Sequence, residues 1–259
     1  MSQITPSFTL DVSSTPRVPF TRLVSVELRK TADTRAGRWL LAAIAAITAA
    51  FMIIFFAVAD APDRIFENFI AIAATPQGFL LPVLGILLVT SEWSQRTAMV
   101  TFALEPSRSR VLAAKTVSAL LLGFAAFFAA VVIAALCTLV GGAGSDGFAD
   151  LTLIAFVLFL VLQLLTIIQG LAYGLILLNT PAAIVTFFVL PIAASIIFNL
   201  VPFLQDAAPW LDLGTAQQPL FNGENLSGDE YGQLATTSLI WIVLPFVAGW
   251  FRLMRAELK

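Results

Sequence analysis

Several apolar runs of 18 residues or more punctuate this chain, and they limit its folds more than any other feature. Such a run, at 1.5 Å of helical rise per residue, matches the ~30 Å hydrocarbon core of a bilayer. In lipid, every backbone N–H and C=O must find a partner within the protein, which leaves helices or closed barrels. Uninterrupted apolar runs select helices. Only 12% of the 259 residues are charged, about half the ~25% of a soluble domain. The expected fold is an all-α integral membrane protein. Its six transmembrane helices fall at about 39–59, 69–90, 111–140, 151–178, 182–204 and 237–251.

Residues 1–19 are rich in Ser, Thr and Pro and lack the apolar core of a signal peptide, so they read as a disordered tail. Residues 20–259 then form a single transmembrane domain. Phe20, Leu23, Val24 and Leu28 make one helical stripe, with Arg22, Glu27, Arg29 and Lys30 largely off it. This predicts an amphipathic interfacial helix or, alternatively, a short solvated linker before the first span. The second span is interrupted by Thr75-Pro76-Gln77-Gly78 and is expected to kink or tilt with a break near Pro76. Asn179-Thr180-Pro181 is too short to separate spans four and five except as antiparallel neighbours, and Pro191 should kink the fifth. Residues 205–236 form a long polar outer loop whose charges are all acidic.

Six spans put both termini on one side. That side collects 13 of the 14 Lys and Arg but six of the 16 Asp and Glu; the opposite loops keep Arg64 and ten acids. Positive residues stay inside. Both termini and the 91–110 segment are therefore expected in the cytoplasm, in a multi-pass protein of the cell membrane. Lys115, just inside the third span, is expected to snorkel to the inner headgroups. Trp39, Trp93 and Trp250 fall at inner boundaries, Trp210 and Trp241 at outer ones.

The chemistry is sparse. There is no histidine, which removes Ser-His-Asp triads and HExxH zinc sites. The single cysteine, Cys137, lies in an apolar run. The three lysines follow Arg29, Ala114 and Leu258, so none is the lysine of a GxxxxGK[ST] phosphate loop. Gly142 to Gly147 matches GxGxxG but has no strand before it and reads as a turn. The chain is not expected to be an enzyme, and nothing points to nucleic acid or a resident metal. Gln163, Thr166, Gln169 and Asn199 lie in the fourth and fifth spans. They are candidates for a substrate path or for hydrogen bonds between helices. Gly170 and Gly174 form a small-xxx-small pair suited to close packing. No span is expected to carry a buried acid or base, so a proton- or sodium-driven carrier lacks its usual coupling group.

The most charged interior segment is Thr90 to Lys115, TSEWSQRTAMVTFALEPSRSRVLAAK. Charges at Glu92, Arg96, Glu105, Arg108, Arg110 and Lys115 alternate with Trp93, Met99, Val100, Phe102 and Leu104, predicting an interfacial helix that faces a soluble partner. Together with VELRKTADTRAGRW before the first span, Glu92, Arg96, Thr97, Leu104, Pro106, Ser107, Arg108 and Lys115, and the ending from Trp241 to Arg255, this resembles the permease subunit of type-2 ATP-binding-cassette exporters. Arg96 departs from that pattern, since many members carry glycine before the threonine. The resemblance implies a half-transporter. A second copy or close paralogue pairs with it, and two separate cassette ATPase subunits, carrying ATP and Mg, dock beneath. The 91–110 segment would be the coupling helix. Trp93, Met99 and Phe102 would be its apolar anchors, Glu92, Arg96, Glu105 and Arg108 its polar contacts, with Thr97 and Pro106 in the same segment. A stand-alone secondary transporter or channel, or a non-transport membrane scaffold or sensor coupled to an ATPase, would share most of these features.

Overall fold

A computed structural model describes residues 17–141, 147–149, 152–222 and 226–256. Nearly all of the expected N-terminal tail, and most of the Gly142–Gly147 turn, lie outside the described residues. Among the described residues all regular structure is helical. In chain order the helices are α1 (Phe20–Asp33), α2 (Arg35–Val58), α3 (Phe66–Ser94), α4 (Ala98–Leu104), α5 (Arg108–Val140), α6 (Leu153–Leu177) and α7 (Thr180–Leu200). They are followed by α8 (Ala208–Leu211), α9 (Leu213–Asn222), α10 (Gly228–Ser238) and α11 (Leu244–Arg255). A π-helical turn at Leu239–Val243 joins the last two into one rod. Among the described residues six helices are long and apolar enough to cross a membrane: α2, α3, α5, α6, α7 and the α10–α11 rod.

Helices α3 and α6 form the centre. Of their most apolar stretches, 61% and 50% are buried, against 11% for α7 and 17% for α2. The reason is in the glycines. Gly85 of α3 lies against the backbone of Ile167 and Leu171, while Gly170 and Gly174 of α6 lie against Pro82 and Ile86. A Cβ at Gly85 or Gly170 would strike backbone, so the two helices meet main chain to main chain. Close approach of this kind drives association in lipid, where apolar burial alone gives no preference. Gly249 brings α11 against Leu175 on the other side of α6. Leu81, Leu84, Leu88, Ile167, Leu171 and Leu175 fill the core between them. The outer helices present large apolar side chains outward, among them Ile53, Leu136 and Ile192, as a lipid-facing surface must.

Three boundaries differ from expectation. Helix α3 runs unbroken through both Pro76 and Pro82. Gln77, fully buried beside the expected break, instead donates to the Ala126 carbonyl of α5 at 3.1 Å and accepts from Gln163 of α6. Helix α7 likewise continues through Pro191 and stops at Leu200, where Pro202 begins a 3-10 turn. The expected outer loop at 205–236 is largely helical. Leu220 of α9 packs on Leu158 and Leu162 of α6. The Asp212 carboxylate accepts from the N–H and hydroxyl of Thr215 (3.2 and 2.6 Å) and from Ser195 (3.1 Å). The last span begins at Gly228, set there by a capping box between Ser227 and Glu230.

The helix predicted at 20–33 forms with those bounds, but its buried face differs. Val24, Glu27 and Thr31 point inward, while Phe20 is exposed. Burying Glu27 in place of Phe20 needs a counter-charge, and the spans supply it.

Candidate functional site

The segment between α3 and α5 is not one amphipathic helix. Helix α3 ends in a Schellman closure: Thr97 N–H donates to the Glu92 carbonyl (2.9 Å) and Arg96 N–H to that of Trp93 (3.3 Å). Arg96 therefore takes the left-handed position, with φ 57°, where glycine is favoured. This is the place at which the exporter-like pattern has glycine.

Next comes α4, AMVTFAL, which carries no charge at all. Its seven residues sort by face. Ala98 and Phe102 are buried, whereas Met99, Val100 and Leu104 are 54%, 60% and 77% exposed. Phe102, expected as an outward anchor, thus belongs to the core, under the Arg108 guanidinium at 5.2 Å. Trp93 is half-buried against the same cluster. Arg96, Thr97 and Pro106 are exposed around α4.

The charged residues mostly serve the chain itself. One Arg108 Nη1 donates to the carbonyls of Leu253, Met254 and Ala256 at 2.6, 3.1 and 2.9 Å, capping α11. Glu105, nearly buried, pairs with Arg110 at 2.9 Å, and Arg110 also donates to the Val18 carbonyl. Glu92 is buried in a closed ring of alternating charge. Lys115 Nζ lies 2.6 Å from Glu27 and 3.3 Å from Glu92; Lys30 Nζ lies 2.8 and 2.7 Å from the same two carboxylates. Thr101 donates to Glu92 at 2.9 Å, and Lys115 to the Leu88 carbonyl at 2.9 Å. The ring sums to zero charge and ties α1, α3, α4 and α5 together.

Two expectations are corrected here. Lys115 does not snorkel; it is 5% exposed, with the carboxylates of Glu27 and Glu92 at 2.6 and 3.3 Å from its ammonium. Spanning helices do hold a buried acid and a buried base, Glu92 and Lys115. Lys30, outside the spans, keeps a pKa above the ordinary lysine value. Burial lowers it, but Glu27 and then Glu92 more than offset that.

Glu27 and Lys30 are the residues that sequence reasoning missed. Their signal was Lys115 itself, a cation inside an apolar run whose partner must be close. The partners lie 88 residues away, at Glu27, and at Glu92.

The four intramembrane polar residues do not converge. Gln163 is buried and bonded to Gln77, and Thr166 donates to the Gln163 carbonyl at 2.9 Å. Gln169 is buried with its amide nitrogen lacking an acceptor among the described residues. Asn199 is exposed near the acidic end and donates to the Ser195 carbonyl at 2.8 Å. Gln163 joins helices, which is the packing role.

A groove of about 860 Å³ opens beside the charge ring, between α1 and the α3–α4–α5 junction. Among the described residues no group of His, Cys, Asp or Glu is arranged to hold a metal ion. No family model matches the sequence, and no curated protein matches it.

Proposed function

We propose that the chain is the membrane-spanning subunit of an ATP-driven exporter. It pairs with a second copy or close paralogue, and two cytoplasmic ATPases, which bind ATP and Mg, dock beneath the pair. The observation that carries this reading is α4. It is a short helix with an apolar outer face of Met99, Val100 and Leu104, held at both ends by spanning helices. Its mounting is rigid: the Schellman turn fixes its start, Thr101 bonds Glu92, and Arg108 anchors the following turn to α11. A push on α4 is therefore felt in α1, α3, α5 and α11 together, as a packed two-state element requires. The positive-inside bias supports a cytoplasmic position for this end, where a soluble ATPase is available. The exposed knob, and no longer Glu92 or Phe102, is the contact surface in this reading.

Purification of the tagged chain from its native membranes in mild detergent tests it. A stoichiometric cassette ATPase with ATP hydrolysis is the expected companion. Leu104→Glu leaves a 77% exposed site chemically content in the free chain, yet inserts a charge into the docking face. It should reduce ATPase recovery at least tenfold, about 1.4 kcal/mol, with normal yield of folded chain. Recovery of the chain alone in several detergents would sink the proposal and favour a stand-alone carrier or channel.

A further inference from the structure

The groove beside α1 has a composition that defines an occupant. Its floor includes Leu84, Leu88 and Val111, and its walls Val26 and Val100. Leu84 lies ten residues before the end of α3, about 15 Å along the helix at 1.5 Å per residue. The groove therefore runs from the basic end into the depth of the spanning helices. Six ionisable residues line it: Arg22, Lys30, Lys115, Glu27, Glu92 and Glu105. Glu27 and Glu92 are neutralised by the two lysines, and Glu105 by Arg110. Arg22, exposed on the wall, has no carboxylate partner among the described residues.

An apolar floor at membrane depth with one uncompensated cation at the side is complementary to an anionic amphiphile. We propose that the groove binds one anionic phospholipid from the leaflet at the basic end, its phosphate at Arg22 and an acyl chain along the accessible Leu23, Val26 and Leu87. The volume of about 860 Å³ falls in the roughly 300–1,000 Å³ range of small-molecule sites. A zwitterionic lipid carries its own cation and gains less from Arg22. The groove borders the proposed docking face, since α4 gives it Val100, Thr101 and Leu104, but Arg22 and Val26, on which the lipid test rests, lie on α1 and outside that face.

Native mass spectrometry of the delipidated full chain, titrated with dioleoyl phosphatidylglycerol and with dioleoyl phosphatidylcholine, tests this. The expected result is one equivalent of phosphatidylglycerol bound at least tenfold more tightly than phosphatidylcholine. Arg22→Gln should bring the two lipids level. Val26→Trp, at a wall position already 42% exposed and so tolerant of substitution, should block both. Equal binding of the two lipids to the unmodified chain would overturn the proposal. So would phosphatidylglycerol binding that survives both variants, which marks annular lipid. Glycerophosphoglycerol bound as tightly as the intact lipid would refute the acyl contact. A change of oligomeric state in Val26→Trp with lipid binding unaltered would assign the groove to a second copy instead.

Discussion

Replacing Lys115 with Met removes one cation from a ring that holds two cations and two anions. The side chains of Lys115, Glu27 and Glu92 are only 6%, 6% and 7% exposed, so water cannot take over the lost contacts. Lys30 alone then faces two carboxylates, and one buried negative charge is left over. Breaking a buried pair by deleting one partner costs about 3–5 kcal/mol. For a chain of this size that corresponds to a fall of roughly 10 °C in the unfolding midpoint. Two comparisons isolate charge from packing. Lys30→Met also deletes a cation, but its side chain is 38% exposed, so water already screens its ion pairs and less is lost with them than in Lys115→Met. Glu27→Gln with Lys115→Met restores neutrality and leaves the Lys30–Glu92 pair at 2.7 Å. This double variant should recover much of the lost midpoint, a non-additivity expected of contacting residues. Tryptophan fluorescence of detergent-purified chain during heating reads the midpoints. If Lys115→Met proves no worse than Lys30→Met, or the double variant no better than Lys115→Met, the ring does not carry the stability assigned to it.

Three further outcomes follow from single positions. Arg96→Gly relieves a left-handed non-glycine residue and should stabilise by about 1 kcal/mol; a lower melting midpoint would mean that the Arg96 side chain makes a contact outweighing the strain. Gly170→Ala sets a Cβ against the Pro82 carbonyl and must force α3 and α6 apart, costing on the order of 3 kcal/mol, whereas Gly78→Ala, with open space around it, should melt at or slightly above the unmodified chain. The Lys30 pKa is raised in the folded chain by Glu27 and Glu92 despite burial. Its stabilising contribution is therefore complete below the ordinary lysine pKa near 10.5 and is lost as pH climbs through the higher folded value. Melting midpoints across pH 9–12 should fall less steeply in Lys30→Met than in the unmodified chain, and parallel curves would dismiss the linkage.

The spans were legible because lipid imposes a crude and strong rule: length and apolarity suffice, with no need to know neighbours. The close approach at Gly170 and Gly174 could be read for a similar reason, since small residues four apart always share a face. The break expected near Pro76 is absent: α3 stays helical through it, because in a bundle neighbouring groups can satisfy the backbone that a proline frees. The early start of the last span was visible in the Ser227–Glu230 spacing, a local signal that a hydropathy reading passes over.

The candidate site divides along the same line. That a charged stretch at 90–115 joins two spans, and that it shares the basic end with both termini, are properties of linear order and charge, and the sequence by itself determines them. Which of its residues face outward is not such a property. Alternation of charged and apolar residues suggested one amphipathic helix, yet the Schellman turn at Arg96 divides it and rotates Phe102 inward and Leu104 outward. Glu92 and Lys115 looked like ends of helices reaching for water. Only tertiary packing brings Glu27 and Lys30 of α1 against them, and a charge inside low-dielectric surroundings takes the nearest opposite charge, however distant along the chain.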